Sequence, residues 1–275
     1  MLTQRVDPRP IGIARICLGL AGLLNTLELF VINTGLSSGK LTVPYFAWAP
    51  TITPTAALVV MAIAVTATVM IIVGIGTAGG AVIYSLTTTT VLLWDQQTYS
   101  SHQILVVLLV ACLAFAESDR VYSPVRRPEH RPDVPWWPQL LMMTQLSALY
   151  LFAGLSKINH EFLSGGPLST WVGDALPDWI FQPMAVATVV TEAVVLAVGL
   201  WLPRVRVISV VVGVCLHLSI LVLISEGLLN LLQLIAFALA CVPLYPLFLT
   251  RPRPPSAVRT GTAPLTKGAP RPTMS

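Results

Sequence analysis

Eight runs of apolar residues, at about 11–32, 55–75, 79–94, 102–118, 138–157, 184–202, 205–224 and 228–249, occupy most of the chain. An α-helix rises about 1.5 Å per residue, so roughly 20 residues cross a hydrocarbon core about 30 Å thick. The runs therefore predict an all-α, polytopic transmembrane helical bundle of about eight spans. Composition agrees: 55% of the residues are hydrophobic and 10% are charged, where a soluble domain carries roughly a quarter. Too little polar surface is present to cover a water-soluble globule, so most of the exterior is expected to face lipid. The third and fourth runs are short. They are either spans with little tilt, partly re-entrant, or one helical hairpin that fails to cross.

Charge placement sets the expected direction. With the N-terminus inside, the inner segments hold Arg5, Arg9, Arg120, Arg126, Arg127, Arg131, Arg204, Arg206 and the tail residues Arg251, Arg253, Arg259, Lys267 and Arg271. The outer loops hold Lys40 as their one basic residue, with Asp95, Glu161, Asp174, Asp178 and Glu226. Basic inner loops are the signature of orientation. The reading is a multi-pass protein of the cell membrane with both termini cytoplasmic. Its net charge of +4 reports orientation and lipid contact, not nucleic acid. The divisions are a cytoplasmic N-terminus (1–10), the membrane domain (11–250) and a tail (251–275) too poor in apolar residues to fold, expected to be disordered.

Punctuation follows the same map. Pro44, Pro50 and Pro54 break the chain before the second run, and Pro124, Pro128, Pro132, Pro135 and Pro138 stiffen the basic loop. Trp136 and Trp137 suit an inner interface belt, Trp94 and Trp171 an outer one. The first run is longer than a secretory signal core, with no persuasive cleavage site, and is expected to stay as a helix. Cys17, Cys112, Cys215 and Cys241 all fall in apolar runs without metal spacing and are expected to pack. No metal site is expected, since no carboxylate–histidine pair stands four apart within a span.

Ionisable residues inside apolar runs cost at least about 2.5 kcal/mol on insertion scales, so each requires an explanation. They are Arg15, Glu28, His102, Lys157, Glu192 and His217. All but Arg15 fall, by depth, toward the outer face, as the lining of an outward-opening cavity would. Arg15 is expected to snorkel to inner phosphates. Taken singly, Glu28 suits an interface position beside Asn25 and Asn33, His102 a helix start with Ser100 and Ser101, and His217 a packed core position. Lys157 stands apart. It follows the apolar stretch Leu149–Leu155, at an outer interface where lysine is least expected. Partial desolvation disfavours the charged form of a lysine and can make it a base near neutral pH. Its spacing from Glu161 suggests a simple salt bridge.

The stretch Tyr150-Leu-Phe-Ala-Gly-Leu-Ser-Lys157-Ile-Asn-His-Glu-Phe-Leu-Ser-Gly-Gly-Pro-Leu168 resembles the signature of the vitamin K-dependent γ-carboxylases and their bacterial relatives, which share the HTTM (horizontally transferred transmembrane) domain. Ser100-Ser-His102-Gln-Ile-Leu and Cys215-Leu-His217 resemble two further family segments in the same order. The resemblance covers about residues 8–250. It implies Lys157 as the base that deprotonates a reduced quinone (menaquinone or vitamin K hydroquinone), His102 as its supporting partner, and His217 as a polar wall. Tyr150, His160 and Glu192 complete the candidate pocket.

Two departures matter. Phe162 stands where the family commonly has Trp, and the sequence shows no counterpart of the large lumenal β-rich part that animal enzymes use with peptides. The expected function is therefore a quinone- or quinol-binding membrane pocket with epoxidase- or carboxylase-like chemistry, not peptide carboxylation. A non-catalytic quinone- or lipid-binding subunit is one alternative. A small proton-coupled transporter with Glu192, His217 and Lys157 as relay is another.

Overall fold

The computed structural model describes residues 3–38, 42–48, 50–125, 133–173, 176–224 and 227–252. Lys40, Arg126, Arg127, Arg131, Asp174, Glu226 and the tail from residue 253 lie outside the described residues, and with them several of the orientation charges.

Helix α1 (Arg9–Ser37) opens with Pro10 in its first turn, where a missing N–H costs nothing, and is the longest element. It packs against α2 (Pro54–Val73), α4 (Ser101–Leu113) and α10 (Gly227–Cys241) and so forms the axis of the bundle. Thr53 caps α2, its hydroxyl accepting from Ala56 N at 3.2 Å, and Pro54 occupies the first position. Helix α3 (Thr77–Leu92) follows after a turn through Gly74 and Gly76.

Among the described residues, six stretches are long and apolar enough to cross a membrane: Arg9–Ser37, Pro54–Val73, Trp137–Ser156 (α5), Asp178–Trp201, Arg206–Leu223 (α9) and Gly227–Leu249. They fall on six of the eight expected runs. The other two are α3, with 16 residues, and α4, with 13. These rise only about 24 and 20 Å, short of a 30 Å core. Helix α4 is mostly buried, with Leu105, Val106, Leu109 and Val110 enclosed and Leu108 exposed. A short helix surrounded by protein does not have to match the thickness of lipid.

Successive helices run in opposite directions, and the contacts sort their ends into two groups. At one end, Arg5–Val6 pairs antiparallel with Val134–Pro135, and Arg206 Nη1 donates to Phe248 O at 2.7 Å. Trp136, Arg206, Phe248 and Thr250 line one cavity, so the first and last described segments share this near end. At the far end, Val43 N donates to Asp95 Oδ2 at 2.9 Å and the Trp94 indole donates to Pro50 O at 2.8 Å.

Arg15 corrects one expectation. It does not reach toward phosphates but is fully buried. Its Nη1 donates to Ile71 O at 2.7 Å and Ile72 O at 3.2 Å, and its Nη2 to Tyr122 O at 2.6 Å. A guanidinium offers five donors in a fixed fork, and the last turn of a helix leaves its carbonyls without intrahelical partners. Arg15 caps α2 and ties the loop after α4 to it. Gly74, at φ 85°, ends α2 in the left-handed region, and a Cβ there would lie 2.2 Å from Arg15 Nη1.

Candidate functional site

Helix α5 ends at Ser156, and Lys157 is its C-cap. The Lys157 ammonium lies 2.5 Å from Glu192 Oε2. Glu192 belongs to a π-helical turn, Thr191–Leu196, that continues α8 (Phe181–Val190). Ala197 N reaches back five residues to Glu192 O at 3.0 Å. Such wide turns occur mostly as single turns within helices, frequently at functional sites. The approach is allowed by Gly154, where a Cβ would lie 2.8 Å from both Cβ and N of Ala193. Any side chain there would wedge α5 away from the turn that carries Glu192.

The Lys157 amine also stands 5.8 Å above the Phe162 ring, within reach of a cation–π contact. Phe162 lies on α6 (His160–Leu163), whose start is capped by Asn159 Oδ1 accepting from Phe162 N at 2.8 Å. With Leu168, Phe181 and Ala185 it forms a small apolar cluster separate from the main core. The side chain of Lys157 is 24% exposed and that of Glu192 9%, so the pair is shielded but not sealed. The expected salt bridge between Lys157 and Glu161 is not the one formed. Helix α5 stops before Lys157 and α6 starts after it, so the two residues do not share a helix and the four-residue spacing brings no common face.

Tyr150 stands two turns earlier on α5, on the face that carries Gly154 and Lys157. Its hydroxyl is 2.9 Å from His217 Nε2 on α9 and 2.6 Å from the Tyr245 hydroxyl. Tyr245 opens the short helix α11 (Tyr245–Leu249), and Gly213 of α9 makes room for it: a Cβ at Gly213 would lie 2.5 Å from the Tyr245 hydroxyl. All three side chains are buried. Tyr245 is a site residue that sequence reasoning missed, because nothing in its local pattern links it to a tyrosine 95 residues away.

His102 belongs to a second centre. Its Nε2 is 2.8 Å from Glu28 Oε2, and its Nδ1 is 2.5 Å from Ser100 Oγ. Gln233 of α10 donates to the other oxygen, Glu28 Oε1, at 2.7 Å. Glu28 thus joins α1 to α4 and α10 and is buried, not placed at an interface as its neighbours suggested. Among the described residues no hydrogen bond or ion pair joins His102 to Lys157. The structure brings Lys157 to Glu192, Tyr150 to His217, and His102 to Glu28; His160 is left exposed at the start of α6.

Chemically, this is a lysine and a histidine each paired with a carboxylate, and a buried hydroxyl–imidazole cluster between helices. No group of three or more His, Cys, Asp or Glu suited to a metal occurs among the described residues. No curated protein and no solved structure matches the chain. The family model that does match is that of the HTTM domain, over residues 3–251, and this multi-pass membrane protein accordingly belongs to the HTTM domain family.

Proposed function

We propose that the protein binds a reduced quinone of the cell membrane at the Lys157–Glu192 pair and uses Lys157 as a base toward it. The observation that carries this reading is the ion pair itself, an ammonium and a carboxylate 2.5 Å apart between apolar helices. A quinol fits such a place. Leu155 and Ile158, which flank Lys157 in sequence, are exposed and suit an approach from lipid, and the Phe162 ring offers a flat face. Bound there, a reduced quinone would supply oxygen-dependent redox chemistry.

The roles of the chain's own residues follow from charge and distance. Transfer of one proton from Lys157 Nζ to Glu192 Oε2 leaves a neutral amine beside a carboxylic acid. The free amine then accepts a proton at Nζ from a hydroxyl held against it. Glu192 is the group that takes up the ammonium proton, and Phe162 covers one side of the amine. Tyr150, tied to His217 and Tyr245, keeps the inner side of the same helix face polar.

A second reading is binding without turnover. It is favoured by the engagement of His102 with Glu28, which leaves Lys157 without a histidine partner. In either reading the chain is taken to cross the cell membrane eight times, with both ends cytoplasmic.

The test uses wild type and Lys157→Ala in nanodiscs with reduced menaquinone, following quinone epoxide by mass spectrometry and oxygen uptake. Epoxide from wild type alone establishes the base. Equal turnover by both sinks the proposed role of Lys157. Retention of quinone without product moves the protein to the binding class.

A further inference from the structure

A cavity separate from both paired centres opens at the far end of the bundle, between α1, α2 and α3. Its volume is about 340 Å³, and Asn33, Ala57, Val60, Thr90, Val91 and Trp94 are among its walls. That volume falls within the roughly 300–1,000 Å³ of small-molecule sites. A narrower extension of about 10 Å³ shares Asn33, Ala57, Val60 and Val91 and continues down the helices past Leu29, Ala64 and Thr88. Together they make a groove wide at the bundle end and thin toward its middle.

Two features define what the groove takes. First, it is uncharged. No described residue lining either part is acidic or basic. The carboxylate of Asp95, just beyond the mouth, is already used, Oδ2 by Val43 N and Oδ1 by Gln97 N, each at 2.9 Å. Among the described residues, a phosphate or carboxylate head finds no cation there, and an ammonium head no free anion. Second, the groove holds one unsatisfied acceptor. Asn33 is 3% exposed and lines both parts, and its Oδ1 has no hydrogen-bond partner. Buried polar atoms are normally paired, and an orphan asks for a donor. The Trp94 indole cannot serve, since it donates to Pro50 O.

We infer that this groove binds an uncharged, hydroxyl-bearing membrane lipid of the diacylglycerol type. One acyl chain lies along Ala56, Ala57 and Val60 in the wide part, and the head hydroxyl donates to Asn33 Oδ1. The Ala, Val and Thr walls of the wide part suit a flexible chain better than a flat ring. This site is independent of the Lys157 reading, because none of its lining residues takes part in either carboxylate pair.

The test is photolabelling in phosphatidylcholine nanodiscs with a diacylglycerol that carries a diazirine in one chain, mapped by peptide mass spectrometry. Adducts are expected on peptides holding residues 29–33, 56–60 and 90–94. One lost hydrogen bond of about 1 kcal/mol makes the expected fall in labelling for Asn33→Leu about fivefold. Thr90→Trp changes an exposed position at the rim and is expected to abolish labelling while leaving the melting temperature unchanged; it carries the test if Asn33→Leu does not fold. Three results would overturn the inference. One is label spread evenly over lipid-facing positions such as Leu86 and Val222. Another is equal labelling by phosphatidic acid with the same chains, which would make the uncharged head irrelevant. The third is displacement by equimolar reduced menaquinone, which would give the groove to a quinol. Loss of quinol turnover in Lys157→Ala leaves the labelling untouched, so the two readings fail separately.

Discussion

Lys157 and Glu192 stand 2.5 Å apart, one at the end of α5 and the other in a π-helical turn 35 residues later. Removing one member of such a pair strands the other charge in a poorly hydrated place, which costs about 3–5 kcal/mol for fully buried pairs. Lys157 keeps some contact with water, so the lower figure applies. Glu192→Gln is expected to lower stability by about 3 kcal/mol, and Lys157→Met with Glu192→Leu to recover most of it. A double-mutant cycle by thermal unfolding in detergent measures the coupling. Additive single effects would mean that the two side chains do not act as a pair.

Gly154 gives a steric version of the same test. Gly154→Ala puts a methyl group 2.8 Å from Ala193 Cβ and N, too close to be relieved by a side-chain rotation. The helices have to part, and overpacking of this kind costs about 1–3 kcal/mol. Both Gly154→Ala and the larger Gly154→Val are expected to lower the melting temperature and to reduce quinol turnover, the valine more. An unchanged melting temperature in Gly154→Val would contradict the close contact.

Arg15 should be among the residues least tolerant of change. Arg15→Met leaves the buried carbonyl of Ile71 without this donor, at about 1–3 kcal/mol, and removes the part-buried bonds to Ile72 and Tyr122 as well. Loss of the folded protein from membranes is the expected outcome, read by detergent-solubilised yield. Gly74→Ala is expected to be nearly as damaging, since the new methyl group meets the guanidinium in a left-handed backbone. If Arg15→Met accumulated like wild type, the capping role would be wrong.

Tyr150→Phe removes one hydroxyl that serves two partners, His217 and Tyr245. Leaving both buried and unpaired is expected to cost about 2–4 kcal/mol. Adding His217→Phe should cost less than its effect alone, because the imidazole then has no partner to lose. Hydrogen exchange over α9 and α11 is the readout, with faster exchange expected in Tyr150→Phe.

Topology is tested by single cysteines in a background with Cys17, Cys112, Cys215 and Cys241 replaced. Asp7→Cys lies at the near end of the bundle, while Ser38→Cys and Gln96→Cys lie at the far end, and all three positions are exposed. A membrane-impermeant maleimide added to intact cells is expected to label the far-end sites only. Labelling at Ser38→Cys without Gln96→Cys would mean that α3 and α4 form a hairpin that does not cross.

What the sequence determined by itself was the membrane class and the position of every long helix. Both follow from local quantities: an apolar run of a given length needs no partner to be recognised, and prolines such as Pro54 and Pro138 mark where runs begin. The family segments around Lys157, His102 and His217 were legible for the same reason. Pairing was not. Arg15 read as a snorkelling residue because its partners are carbonyl oxygens, which every residue carries and no sequence distinguishes. Lys157 read as a partner of Glu161 because spacing was taken along a helix that in fact ends one residue earlier. The residues at one depth read as one pocket, but depth fixes only one coordinate. The rotation of each helix about its axis decides the others, and close packing sets that rotation: Gly154 against Ala193, Gly213 against Tyr245, α1 against α10. Tertiary structure alone therefore divided the ionisable residues into a Lys157–Glu192 centre and a His102–Glu28 centre.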